Sequence, residues 1–229
     1  MTAHPDDVDF GSAGSVAAFT AAGLEVTYCI ATSGEAGGSD RTITRADMAG
    51  LRQDEQRAAA AVVGVSDVRF LGHPDGIVVA NRELRRDISR VIRQVRPERV
   101  LTQSSERNLE FIFASHPDHL ATGEAALDAV YPDARNPFAH PELLDHEGLE
   151  PWSVPELWIM GPGGQGAGIA VDTTATVERK VAALMAHKSQ MADPDAVAQR
   201  VQDWGRANGE LAGLGEGRSA ELFRTVQIP

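Results

Sequence analysis

Apolar positions along the chain alternate between short continuous runs and longer stretches at helical spacing. Phe10 to Ala22 is small and apolar and predicts a helix ended by Gly23. Leu24 to Thr32 is a continuous apolar run, which predicts a buried parallel strand. Arg45 to Val63, rich in alanine and charged residues, predicts a second helix, and Asp67 to Leu71 a second strand. Leu84, Ile88, Val91, Ile92 and Val95 recur at helical spacing within Arg82 to Arg96, and the strand Arg99 to Thr102 follows Pro97. Another helix runs from His116 to Val130, and the proline- and acid-rich 132–155 predicts an irregular excursion. Strands are expected at 155–160 and 169–172 around a glycine turn at 161–168, helices at 176–191 and 193–207, and a last strand at 222–228. This alternation predicts an α/β fold: a Rossmann-like, mostly parallel sheet flanked by helices in three α/β/α layers. No repeat or low-complexity linker divides the chain, so a single domain over 1–229 is expected. Only Met1-Thr2-Ala3 precede the first loop, so the first strand reads as truncated: the start lies late or the strand is cut short.

Composition narrows the function classes. With 229 residues, 42% of them hydrophobic, the chain can bury a real core. No apolar run is long enough to span a membrane, and the polar opening excludes a signal peptide. A single cysteine, Cys29, excludes an intramolecular disulfide, fits a reducing cytoplasm, and sits mid-strand as a buried thiol. A net charge of −12 without a basic cluster argues against nucleic acid and anionic membrane as partners.

Two stretches carry the candidate chemistry: His4-Pro5-Asp6-Asp7 and Ser115-His116-Pro117-Asp118-His119. Each puts two metal-ligand side chains three residues apart, on one face of a helical turn. His4 with Asp7, plus one or both of His116 and His119, makes a nitrogen- and oxygen-rich set that suits zinc with a position left open for water. Asp6 and Asp118 remain as acid–base or orienting groups. An HPD triplet also reads simply as a helix start, and His73-Pro74-Asp75 is such a triplet without a second ligand. The pair decides for a metal. Counting the short first strand, one stretch follows strand one and the other strand four. In a sheet of order 3-2-1-4-5 those strands are neighbours flanking the crevice where ligands bind.

The chain resembles the PIG-L / LmbE-like zinc deacetylases, which include the mycothiol and bacillithiol pathway deacetylases. The resemblance rests on Ala3-His4-Pro5-Asp6-Asp7-Val8-Asp9-Phe10-Gly11, Thr32 to Gly37, Arg52 to Gly64, Leu71 to Gly76, His116 to His119, and Lys180 to Gln190. It implies that His4, Asp7 and His119 bind Zn2+ (Fe2+ is the alternative), that Asp6 is the general base, and that His116 steadies the oxyanion. It implies further that Arg52 and Asp75 contact the sugar, and adds Glu35 and His187 as substrate-side candidates. The implied substrate is a small amino sugar of the N-acetylglucosamine type; a homo-oligomer is left open. Asp9 stands where the family has a longer acid. Residue by residue, blander readings compete. Arg52 could form an i, i+3 surface ion pair with Glu55, Asp75 could be a turn residue before Gly76, Glu35 could be solvated on its rim loop, and His187 could end a helix. Two rivals remain: an amidase cleaving a larger thiol–sugar conjugate with the same machinery, and a non-catalytic sugar- or metal-binding domain. Retention of Asp6 and His116 argues against the second. No HExxH, second cysteine or dinucleotide fingerprint is present.

Overall fold

The computed structural model describes residues 1–110, 112–161 and 168–228; most of the expected glycine turn at 161–168 lies outside them. The elements in chain order are α1 (Asp7–Ala21), β1 (Thr27–Ile30), α2 (Arg45–Val62), β2 (Asp67–Phe70), α3 (Arg82–Val95) and β3 (Arg99–Thr102). They continue with α4 (Pro117–Asp128), α5 (Pro141–Asp145), β4 (Glu156–Met160), β5 (Gly168–Asp172), α6 (Val177–Leu184), α7 (Pro194–Leu211) and β6 (Ala220–Val226). Helix starts follow their caps: Thr44, Asn81 and Asp193 accept from Asp47, Leu84 and Ala196 main-chain N–H groups.

The sheet runs β2-β1 in one ladder and β3-β4-β6-β5 in another. Residues 1–3 lie between them. Thr2 pairs in parallel with Ile30, and the Met1 amino group donates to Leu101 O at 2.6 Å on the other side. The expected neighbour relation of strands one and four therefore holds. The ladders among β1, β2, β3 and β4 are parallel, and β6 lies antiparallel between β4 and β5.

Each face of the sheet carries its own core. Leu84, Ile88, Ile92, Val100, Ala125, Ala126 and Leu157 pack on the α3–α4 side. Val8, Ala13, Val16, Ala17, Ala59, Ala60, Val63 and Ala183 pack on the α1–α2–α6 side. Small residues in α1 permit this closeness: a Cβ at Gly14 would come within 2.8 Å of Thr173 Cγ2.

Several boundaries differ from expectation, among them the start of β1 at Thr27 rather than Leu24 and the end of α7 at Leu211 rather than 207. Helix α1 starts at Asp7 rather than Phe10, α6 stops at Leu184 rather than reaching 191, and the 132–155 excursion contains the short helix α5. Among the described residues no helix is long and apolar enough to cross a membrane.

Candidate metal and catalytic centre

The loop joining residues 1–3 to α1 folds back on itself. His4 N donates to Asp7 Oδ2 at 2.7 Å, which turns the Asp7 carboxylate toward His4. Asp6 takes a left-handed conformation, φ 85°, which a non-glycine residue keeps only when its surroundings hold it there. Its carbonyl receives Asp9 N and Phe10 N at 2.9 and 3.0 Å and so starts α1. The second loop ends in His116, whose Nδ1 accepts the Asp118 N–H at 3.2 Å, with Pro117 in the first turn of α4.

The two loops meet. His4 Nδ1 lies 3.3 Å from Asp7 Oδ2 and 3.3 Å from His119 Nε2, and His119 Nε2 lies 3.0 Å from Asp7 Oδ1. Donors about 2.0–2.2 Å from one ion in a tetrahedron sit roughly 3.3–3.6 Å apart; the His4–His119 nitrogen spacing falls in that range, and the Asp7 carboxylate turns one oxygen to each of the two nitrogens. The other ring nitrogen of His4 faces carboxylates, with Nε2 3.1 Å from Asp75 Oδ1 and 3.2 Å from Asp118 Oδ2. That is how a ligating histidine is usually oriented. Asp118, fully buried, also accepts from Gly76 N at 2.7 Å and Val78 N at 3.2 Å. The His116 ring centroid stands 5.0 Å from that of His4 and 5.3 Å from that of His119. Donor atoms of His4, His116 and His119, and of His4, Asp75 and Asp118, form two further groups able to hold an ion. The His4–Asp7–His119 set uses the His4 nitrogen left free by Asp75 and Asp118.

Charge favours a cation here. Burial alone would lower the His4 pKa, but Asp7 and Asp75 carry it up to about 10. Burial opposes ionisation of Asp7 as well, yet hydrogen bonds from His119 and His4 hold it well below the usual carboxylate range. A proton and a metal ion compete for the same imidazole lone pair, so an environment that holds the one so firmly also suits the other. Asp6 goes the opposite way: burial first, then the neighbouring Asp7 charge, push it up to about 7, against Arg52. Burial, then the charges of His4 and His119, lower the pKa of His116.

The substrate-side candidates lie at different depths. Arg52 is turned inward; it donates to Pro5 O at 2.7 Å, Asp6 Oδ2 at 3.0 Å and Gly34 O at 3.0 Å. The Arg52–Glu55 surface pair does not form, because Glu55 receives Ser189 N at 2.8 Å and Ser189 Oγ at 2.7 Å. Asp75 is no free turn residue; besides His4 it accepts Ala36 N at 2.8 Å. Glu35 accepts Asp75 N at 2.9 Å beside a cavity of about 270 Å³ lined by Ser33, Arg45, Ala49 and His73 among others. His187, expected among the substrate contacts, is corrected: it is fully buried, with Nε2 2.9 Å from Asp9 Oδ2, and has no surface to offer a substrate. Gln56 escaped the sequence reading. Its one signal was its place four residues after Arg52, hence on the same face of α2.

Residues 1–130 match the family model for PIG-L, the GlcNAc-PI de-N-acetylases. The chain belongs to the PIG-L family. A similar PIG-L relative is the diacetylchitobiose deacetylase of Thermococcus kodakarensis, 29% identical over 82% of this chain and 67% of that protein. Another is the probable N-acetyl-alpha-D-glucosaminyl L-malate deacetylase 2 of Bacillus anthracis, 30% identical over 82% of this chain and 79% of the relative. Among solved structures, N,N'-diacetylchitobiose deacetylase from Pyrococcus horikoshii superposes with a TM-score of 0.87 at 28% identity, covering 97% of this chain and 80% of that one.

Proposed function

We propose that residues 1–229 form one metal-dependent N-deacetylase domain, which hydrolyses the acetamide of a small amino sugar conjugate of the N-acetylglucosamine type. Zinc is the ion the donor set fits best, with ferrous iron as the alternative. The carrying observation is the His4–Asp7–His119 triangle with the Asp6 carboxylate next to it in sequence and held in place by Arg52. The diacetylchitobiose and glucosaminyl-malate deacetylases among the relatives support the substrate class.

A divalent cation bound there supplies Lewis-acid polarisation of the amide carbonyl and brings the pKa of water at the site to about 7. Asp6, raised to about 7, can take the proton of the attacking water and return it to the departing amine at neutral pH. With Nδ1 of His116 occupied by the Asp118 N–H, its Nε2 carries the proton and donates to the developing oxyanion even when the ring is neutral. Such a donor is worth about 3–4 kcal/mol. Arg52 acts through Asp6, and Asp75 through His4; the cavity beside Glu35 is assigned to the sugar conjugate. The lone buried Cys29 fits a reducing, cytoplasmic setting.

The test is acetate release from a panel of N-acetylglucosamine conjugates alongside metal analysis of the purified protein. Asp6→Asn should lower turnover on the order of 10²- to 10⁴-fold while binding the same equivalent of metal. Equal turnover by both proteins would remove Asp6 as the base. Release of a larger acyl group in place of acetate would assign the amidase reaction instead.

A further inference from the structure

Asp6 is held in a conformation it would not choose, and the group that receives its main-chain N–H is not main chain. Gln56 Oε1 accepts that N–H at 2.8 Å. Gln56 Nε2 in turn donates to Asp9 Oδ2 at 2.8 Å, and the same oxygen faces His187 Nε2 at 2.9 Å. Gln56, Asp9 and His187 are all fully buried. They come from α2, α1 and the turn after α6, so three separate elements converge beneath one peptide.

The orientation of the Gln56 amide is fixed by its partners. A main-chain N–H can only donate, so the Gln56 oxygen must face Asp6, which leaves the nitrogen to donate to Asp9. No other uncharged side chain of this length presents an acceptor to one and a donor to the other. His187, with its proton on Nε2, supplies the second donor to Asp9. Among the described residues Asp9 Oδ1 and His187 Nδ1 have no further partner, so the chain of contacts ends there and leads nowhere else.

We infer that Gln56, Asp9 and His187 form a buried hydrogen-bond relay whose role is to hold the left-handed Asp6 peptide, and through it to aim the Asp6 carboxylate; they are positioning residues for the deacetylation. Arg52 and Gln56, one turn apart on α2, grip the same residue from two sides, one by its carboxylate and one by its N–H. Without Gln56, nothing described receives the Asp6 N–H, and the φ of 85° loses its tie from below. This inference deepens the proposed function and rests on it for the identity of the base.

The test compares wild type with Asp6→Asn, Gln56→Leu, Gln56→Glu, and the charge-swapped double variant Asp9→Asn with Gln56→Glu. In Gln56→Glu two carboxylates face each other. In the swap, the new carboxylate at position 56 still accepts from Asp6 N, and the new amide NH2 at position 9 donates to that carboxylate and to His187 Nε2, whose proton then sits on Nδ1, so the relay is rebuilt with its charge moved. Expected for Gln56→Leu is a kcat on the order of 10- to 100-fold lower, with KM within about twofold and full metal content. In the metal-free protein the Asp6 amide should exchange with deuterium faster than in wild type, a readout independent of turnover. Gln56→Glu should lose kcat and the swap should regain most of it. Wild-type kcat and wild-type Asp6 exchange in Gln56→Leu would overturn the relay. So would a swap no better than Gln56→Glu, which decides the matter if Gln56→Leu does not fold. If wild type releases no acetate from any conjugate, the deacetylase reading fails on its own. If Asp6→Asn stays fully active, the identity of the base fails, and Asp6 amide exchange still reports on the relay.

Discussion

Replacing Asp118 by asparagine isolates what a buried carboxylate does for a histidine ligand. Asp118 Oδ2 accepts from Gly76 N at 2.7 Å and from His4 Nε2 at 3.2 Å, and Oδ1 accepts from Val78 N at 3.2 Å. All three partners are donors. Asparagine keeps the shape but must turn an NH2 toward one of them. The least costly choice keeps oxygen on the Gly76 and His4 side and sets the NH2 against Val78 N. One buried N–H is then left unsatisfied, at about 1–3 kcal/mol, and His4 loses one of the two negative charges behind it. For a chain of this size about 2–4 °C of Tm accompanies each kcal/mol, so Tm should fall by roughly 2–12 °C. Loss of an orienting carboxylate typically costs 10–100-fold in metal affinity, equivalent to roughly 1.4–2.7 kcal/mol. Thermal unfolding of the metal-free protein reads the first effect. Competition against a chelator of known affinity reads the second. If Tm falls while metal Kd stays within twofold of wild type, Asp118 only braces the 76–78 turn, and the orientation of His4 through Nε2 is refuted.

Two further outcomes follow from the same geometry. Saturating metal should raise Tm over the chelated protein, because a ligand at about a thousand times its Kd adds about 4 kcal/mol to the folded state; a Tm unmoved by zinc would contradict the donor triangle. At the far side of α3, burial works against ionisation of Asp133, but the Arg85 guanidinium and His140 hold its pKa below the usual value. Its folded pKa being depressed, the stabilisation is fully present above the unfolded value of about 3.9 and is lost as pH falls through the lower folded value. Wild type should therefore exceed Asp133→Asn in Tm at pH 5 and converge on it toward pH 2; a constant gap across that range would refute the assignment.

What could be read from the chain and what could not divide along a physical line. The helix starts at Arg45, Arg82 and Pro194 fall within one residue of expectation because a helix start is a local matter: a side chain and a main-chain N–H three residues away settle it. The meeting of His4 with His119 was legible because sheet order is set by short connections, and the Met1–Leu101 contact puts the first loop beside the end of β3. Polar burial was not legible. Helix α2 reads as a solvated, charged helix, yet Arg52, Glu55 and Gln56 all point inward, at 4%, 8% and 0% exposure. The middle of its inner face is polar because it builds a site, while Ala59 and Ala60 farther along join the core, and hydrophobic periodicity carries no sign of that division. The same blindness extended α6 past Leu184: the chain leaves the helix so that His187 can reach Asp9 and Ser189 can reach Glu55, two partners more than 130 positions away in sequence. Arg52 and Gln56 commit their hydrogen bonds to Pro5 and Asp6, and His187 reaches the same stretch through Asp9. These three buried polar side chains are departures from the hydrophobic pattern, and they converge beneath Asp6.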